Sequence, residues 1–213
     1  GAAGTTRTIY LHRPLGENIV YVSGQLALEA ASHTNAVTVH EPARFFVHQF
    51  REAISRRGIR VHGQLGTRSW PEALTTPTRY KDWVEIAFVE SPPLAGLVSR
   101  MMKPSQNLYA QLLFLQVGAA TSGAVESSET TEDRALEELR RFMREAGIDP
   151  REVLLEEGSG LSRGALVTPG ATVRLLQFMD RHRHADAFRA ALPIAGVDGT
   201  LRNRLKESPA FRN

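Results

Sequence analysis

A change of period along the chain predicts an α/β (α+β) protein: a mixed strand-helix domain over residues 1–90, then a mostly helical domain over residues 91–213. Before residue 91, the segments TRTIYLHR, ENIVYVSGQLAL and NAVTVH alternate apolar and polar residues as half-buried strands do. From Ser91 onward apolar residues recur at intervals of three and four instead, and capping residues stand where helices would begin. No internal repeat interrupts either pattern.

In chain order, the first two strands are separated by a turn at Pro14, Leu15 and Gly16. PARFFVHQFREAISRRG places Phe46, Phe50 and Ile54 at i, i+4 and i+8, which predicts an amphipathic helix stopped by Gly58. RVHGQL and WVEIAFVE read as further strands, and the domain edge falls near Glu90. Ser91 is a good N-cap with Pro92 and Pro93 in the first turn, opening a helix through PLAGLVSRMM that breaks before Pro104. The LYAQLLFLQV helix follows at once, and the polar SGAVESSETTED at 122–133 reads as a loop. Thr130 with Asp133 resembles a capping box; beyond it Leu136, Leu139, Phe142, Met143 and Ala146 form one apolar stripe, with Glu137 paired to Arg141 outside and Gly147 as stop. Thr168 and Pro169 start the helix ATVRLLQFMDRH.

Composition narrows the function. The 26 basic and 23 acidic residues leave a net charge of +3, and no Lys/Arg run is dense enough for nucleic acid. RHRH at 181–184 and SRRGIR at 55–60 suit helix ends, where cations meet the negative pole of the dipole. The absence of cysteine excludes disulfides, zinc-thiolate sites and a thiol nucleophile. His12, His33, His40, His48 and His62 lack the spacing of metal ligands on one helix, so neither a metal nor another cofactor is expected. No apolar run approaches the roughly 20 residues of a membrane span. There is neither an initiating Met nor a signal-peptide pattern, so the chain reads as one that begins inside a longer protein.

The chemical candidate is KPSQNLYAQLL, residues 103–113. Ser105 and Asn107 stand behind Lys103 and Pro104, ahead of an apolar run. The arrangement suits a reactive polar pair at the mouth of a buried helix, or else a helix N-cap beside a solvated lysine. The pairs Glu137/Glu138 and Glu156/Glu157 read as solvated faces, and EEGSGLSRG as a tight turn without the spacing of a phosphate loop.

Three segments in order, ESPPLAGLVSRMMKPSQNLYAQLL, LLEEGSGLSRGALVTP and LPIAGVDGTLRNRLKESPA, resemble the class C low-molecular-mass penicillin-binding proteins, bacterial D-alanyl-D-alanine carboxypeptidases and endopeptidases. In that family the serine of a Ser-x-x-Lys motif attacks the D-Ala-D-Ala bond and forms an acyl-enzyme that water hydrolyses. The resemblance maps Ser105 and Asn107 onto the second motif: the serine relays a proton toward the leaving nitrogen, and the amide holds the substrate's peptide group. It implies that Lys103 adds positive field and orients Ser105. GSGLSR resembles a cleft segment in which Ser159, Ser162 and Arg163 would knit loops together by hydrogen bonds. The family usually has Asp where this chain has Glu157 and Asn where it has Ala165, which favours a structural role. GVDGTLRNR, with Asp198 and Thr200, resembles the loop leading toward the third motif, and reads equally as a glycine turn into a short helix.

No serine has a lysine three residues on, and Lys-Thr-Gly does not occur. Measured against the family, the nucleophile is expected upstream of Gly1 and the third motif beyond Asn213, so that the chain alone is inactive. Residues 1–90 would be an inserted accessory domain and residues 91–213 the helical part of a serine β-lactamase/transpeptidase-like catalytic domain. The resemblance implies a periplasmic or cell-wall location. Peptidoglycan stem peptides and β-lactams are the implied partners, with no nucleic acid and no membrane span. The other reading is a non-catalytic unit that binds peptidoglycan or another protein. LYAQLLFLQV and ATVRLLQFMDRH are apolar enough to need cover, expected from a second copy of the chain or from remaining fragments of the same polypeptide.

Overall fold

The computed structural model describes residues 1–68, 81, 84–85, 87–121 and 130–206. The chain divides into two compact units, Gly1–Ile86 and Ala87–Asn213.

In the first unit, β1 (Tyr10–His12) and β2 (Tyr21–Ser23) pair antiparallel with Leu11 opposite Val22. Reciprocal bonds between Thr8 and Gln25 extend the ladder. NAVTVH and RVHGQL, read as strands, form none among the described residues. The first is tied to the hairpin by side chains instead: Asn18 bonds both the N–H and the carbonyl of His40, and Arg13 reaches Thr38 Oγ1. WVEIAFVE lies partly outside the described residues and carries no ladder at its described positions. Helix α1 (Pro42–Ser55) forms where the spacing predicts, with Phe46 and Phe50 stacked at 6.1 Å. No described residue of this unit is buried.

The second unit is built from α2 (Leu94–Met102), α3 (Asn107–Ala120), α4 (Thr131–Glu145), α5 (Pro169–Arg181) and α6 (Ala185–Ala191). A two-residue ribbon, β3 (Val153–Leu154) against β4 (Leu166–Val167), holds a loop over 155–165. Helix α2 starts at Leu94 with Pro93, not Ser91, as N-cap. Pro93 forces Pro92 out of the helical region, which leaves Ser91 too far away to reach the free N–H groups. The Thr130–Asp133 capping box forms as read, so α4 takes Thr131–Asp133 from the stretch read as loop; 122–129 lie outside the described residues. Glu137 bonds Arg140 and Arg144, whereas Arg141 turns to Glu138, correcting the expected Glu137–Arg141 pair. Thr168 caps α5 through Ala171 N–H at 3.1 Å.

The core is small. Met143, Ile148 and Ala171 form its buried centre, flanked by Leu139, Ala146, Val153, Leu155 and Leu175. Phe142 meets Phe178 edge to face at 5.6 Å between α4 and α5. Helix α3 is apolar on every side, yet only Phe114 and Gly118 are buried, and Leu108 and Leu112 stay 60% and 51% exposed. Among the described residues no helix is long and apolar enough to cross a membrane.

Helices α3 and α4 approach closely at Gly118, where an added Cβ would lie 2.0 Å from the Thr131 carbonyl oxygen and 3.0 Å from Ala135 N. Gly118→Ala is expected to destabilise the chain by about 1–3 kcal/mol, the usual cost of overpacking. Gly96→Ala, in α2 with nothing nearer than 3.9 Å, is expected to stabilise it by roughly 0.5–1 kcal/mol. Thermal melts of the two variants should move in opposite directions.

Candidate functional site

The site is built on the reversal from α2 into α3. Lys103 makes the last ordinary helical bond, N–H to Ser99 carbonyl at 3.1 Å, and Pro104 has no N–H to continue the ladder. Ser105 N–H then bonds the Met102 carbonyl (3.2 Å) and Gln106 N–H the Met101 carbonyl (2.8 Å), the paired bonds of a Schellman ending. That ending needs a left-handed residue, normally glycine, and Ser105 supplies it at φ 59°. An L side chain there costs about 1–2 kcal/mol. Ser105 is therefore not the N-cap of α3. Gln106 is, its side-chain oxygen accepting Leu108 N–H at 3.0 Å.

Ser105 is exposed, and its hydroxyl has no hydrogen-bond partner among the described residues. It lines a cleft of about 280 Å³ together with Met101, Met102, Asn107, Ala110 and Ser159. Asn107, half-buried in the first turn of α3, donates from Nδ2 to the Ser159 carbonyl at 2.8 Å. This bond identifies the amide face turned to the loop and leaves Oδ1 and the second N–H for other partners.

The 155–165 loop is fastened to α3 at two further points. Gly158 N–H donates to Gln111 Oε1 at 2.8 Å, and a Cβ at Gly158 would lie 2.3 Å from Phe114 Cβ. Inside the loop, Glu157 accepts N–H bonds from Ser159, Leu161 and Ser162, and Glu156 accepts the Ser162 hydroxyl. The Ser159 hydroxyl, then these N–H groups, hold the Glu157 carboxyl down to about 2 against the pull of desolvation. Read from its pairing with Glu156 as a solvated carboxylate and from the family pattern as structural, Glu157 is the clamp of the loop. A carboxylate just ahead of a Gly-Ser-Gly turn was the signal that could have found it. Arg163, expected to knit loops, is exposed and makes no hydrogen bond among the described residues.

The Lys103 side chain makes no bond to Ser105. Its ammonium donates to Asp198 Oδ2 at 2.5 Å and to the Leu192 carbonyl at 3.1 Å. Its own carbonyl accepts Thr200 N–H at 2.9 Å. The lysine, foremost, lowers the Asp198 carboxyl below its ordinary range. Lys103, Thr200, Pro104 and Arg202 line a second cleft of about 630 Å³. Ser105, Asn107 and Ser159 thus share one cleft and Lys103 and Thr200 another, with Ser162 and Arg163 lining neither. Among the described residues no cluster of His, Asp and Glu could hold a metal.

Over 97% of its length the chain superposes on 45% of a crystal structure of penicillin binding protein 4 from Haemophilus influenzae complexed with a β-lactam, with TM-score 0.64 and 23% identity, which establishes the fold. Residues 1–212 match the model of the D-Ala-D-Ala carboxypeptidase 3 (S13) family, and the chain belongs to that family. It is 35% identical over 215 residues to a D-alanyl-D-alanine carboxypeptidase of Actinomadura sp. (strain R39), covering 99% of this chain and 38% of that relative. With penicillin-sensitive carboxypeptidase A of Dictyostelium discoideum it shares 24% identity over 194 residues, 90% of this chain and 35% of that one. The chain therefore spans less than two fifths of the curated relatives it matches.

Since Glu157 is held to about 2 in the fold against an ordinary value of 4.5, its stabilisation is complete above pH 4.5 and is lost as pH falls toward 2. Glu157→Gln is expected to lower the melting temperature at neutral pH. The gap from the unsubstituted chain should stay constant down to pH 4.5 and close between there and pH 2, as followed by melts across that range.

Proposed function

We propose that these residues carry the second motif of a serine D-Ala-D-Ala carboxypeptidase or endopeptidase acting on peptidoglycan stem peptides in the periplasm or cell wall, through an acyl-enzyme that β-lactams also form. The observation that carries this reading is Ser105: an exposed, unpartnered hydroxyl held at positive φ where glycine is the low-energy choice, one residue from an amide in the same cleft. Strain of that kind is retained where a side chain has work to do.

The nucleophile of such a reaction is a serine absent from these 213 residues, which contain no Ser-x-x-Lys. Attack by that serine on the D-Ala carbonyl creates an amine leaving group that must gain a proton. Ser105 Oγ can pass one on, donating its hydrogen while accepting another. Asn107 Oδ1 and its remaining N–H address the peptide group of the stem, and the Ser159 carbonyl fixes the amide's orientation. Family membership supports the reading in its coarse form. A non-catalytic peptidoglycan-binding or protein-interaction unit would have no use for a strained serine. Cover of α3 and α5 by a second copy or by the rest of the same polypeptide belongs to the same proposal, motivated by the exposure of Leu108, Leu112, Val173 and Leu176.

Incubated with a β-lactam, the 213-residue chain is expected to stay at its unmodified mass, whereas a polypeptide joining it to Ser-x-x-Lys and Lys-Thr-Gly motifs gains one acyl group. A stoichiometric adduct on the chain alone, seen by intact-mass spectrometry, would sink the assignment of the nucleophile. In the longer polypeptide, before any acylation, Ser105→Ala and Ser105→Gly are each expected to slow acylation by a peptide substrate by roughly 10²- to 10⁴-fold. Only Ser105→Gly should also raise the melting temperature, since glycine alone relieves the positive φ. Acylation at the original rate in either variant excludes the relay.

A further inference from the structure

The Lys103–Asp198 pair joins residues 95 positions apart and is only 24% and 34% exposed. Lys103 is held at both ends, its ammonium by Asp198 and the Leu192 carbonyl, its carbonyl by Thr200 N–H. Both oxygens of Asp198 are engaged, Oδ2 by Lys103 and Oδ1 by Ile194 N–H at 2.8 Å. Asp198 lines neither cleft beside the reversal. Its carboxylate is therefore bonded to the protein through both oxygens. The residue it grips lies two positions before Ser105, whose side chain has no tether of its own.

We propose that Asp198 is a positioning residue for Ser105, acting through Lys103: the ion pair presses the 192–200 loop onto the end of α2, and the Thr200 bond to the Lys103 carbonyl keeps the chain from unwinding at Pro104. Without the pair, Lys103 and the loop separate, the Schellman bonds at Ser105 and Gln106 open more often, and Ser105 leaves the left-handed conformation that presents its hydroxyl to the cleft. Lys103 serves the site as a post to which the turn is tied. The link to catalysis rests on the role proposed above for Ser105.

Two measurements test it. Amide hydrogen exchange on the 213-residue chain is expected to speed up at Ser105, Gln106 and Thr200 by roughly tenfold in Asp198→Asn and in Lys103→Met, the scale of coupling within one network, while Ala171 in α5 is unaffected. Unchanged exchange at those three amides overturns the proposal whatever the activity. In the polypeptide that carries the nucleophile, each variant should slow acylation by a β-lactam, and the double variant should be no slower than the worse single one. Lys103→Arg, which keeps the charge pair, should restore most of the rate. Additive losses, or a Lys103→Met defect that persists undiminished in the Asp198→Asn background, would give Lys103 and Asp198 separate jobs and overturn the proposal. If the unsubstituted polypeptide is not acylated at all, the proposed function fails, and the clamp is then judged on exchange alone.

Discussion

Between the end of α2 and the start of α3 the chain has only four residues in which to reverse, and one of them, Ser105, must take a backbone conformation that its own side chain disfavours. That local deficit has to be balanced by bonds made elsewhere. Some come from the reversal itself, through the carbonyls of Met101 and Met102. The remainder come from distant segments: the 155–165 loop bonded to Asn107 and Gln111, and the 192–200 loop bonded to Lys103. Neither loop is paired in a sheet or an α-helix, so some of their backbone groups, such as the Ser159 carbonyl and the Thr200 N–H, bond outward.

The division of labour follows from chemistry. Amide and carbonyl contacts on the Asn107 side are neutral and directional, so they set angles in the cleft that holds Ser105. The ion pair on the Lys103 side is short, charge-assisted and less demanding of angle, so it sets where the loop sits. Glu157 stands between the two styles: a charge whose partners are N–H groups, folding a glycine-rich loop upon itself before that loop meets α3. The hydrophobic core, centred on Met143, Ile148 and Ala171, lies in α4, α5 and the turn after α4.

Legibility in the sequence tracked the range of the interaction. The Phe46–Phe50–Ile54 spacing, the Thr130–Asp133 box and the Thr168–Pro169 start are complete within a few residues, and each produced the helix it announced. Ser91 failed as a cap for an equally local reason that was present in the text, two consecutive prolines. NAVTVH and RVHGQL failed differently, because alternation says which face a strand would bury but not whether a partner strand exists. Placement alone left Ser105 and Asn107 open between a reactive pair and a helix cap, the family resemblance singled them out, and both line one cleft. The partner of Lys103 could not, since nothing near position 103 points to position 198. Nor could the positive φ of Ser105, which depends on how α2 is ended.

Gly199 stands immediately after Asp198, at φ 57°, where an added Cβ would lie 2.4 Å from the Lys103 carbonyl oxygen and 2.8 Å from Pro193 Cβ. Any side chain there must push the loop off the carbonyl that Thr200 bonds. Position 199 is therefore a place where a substitution matrix and a catalytic map part company. Its tolerance to change is set by the volume of one methyl group against a main-chain oxygen, with no reacting atom involved.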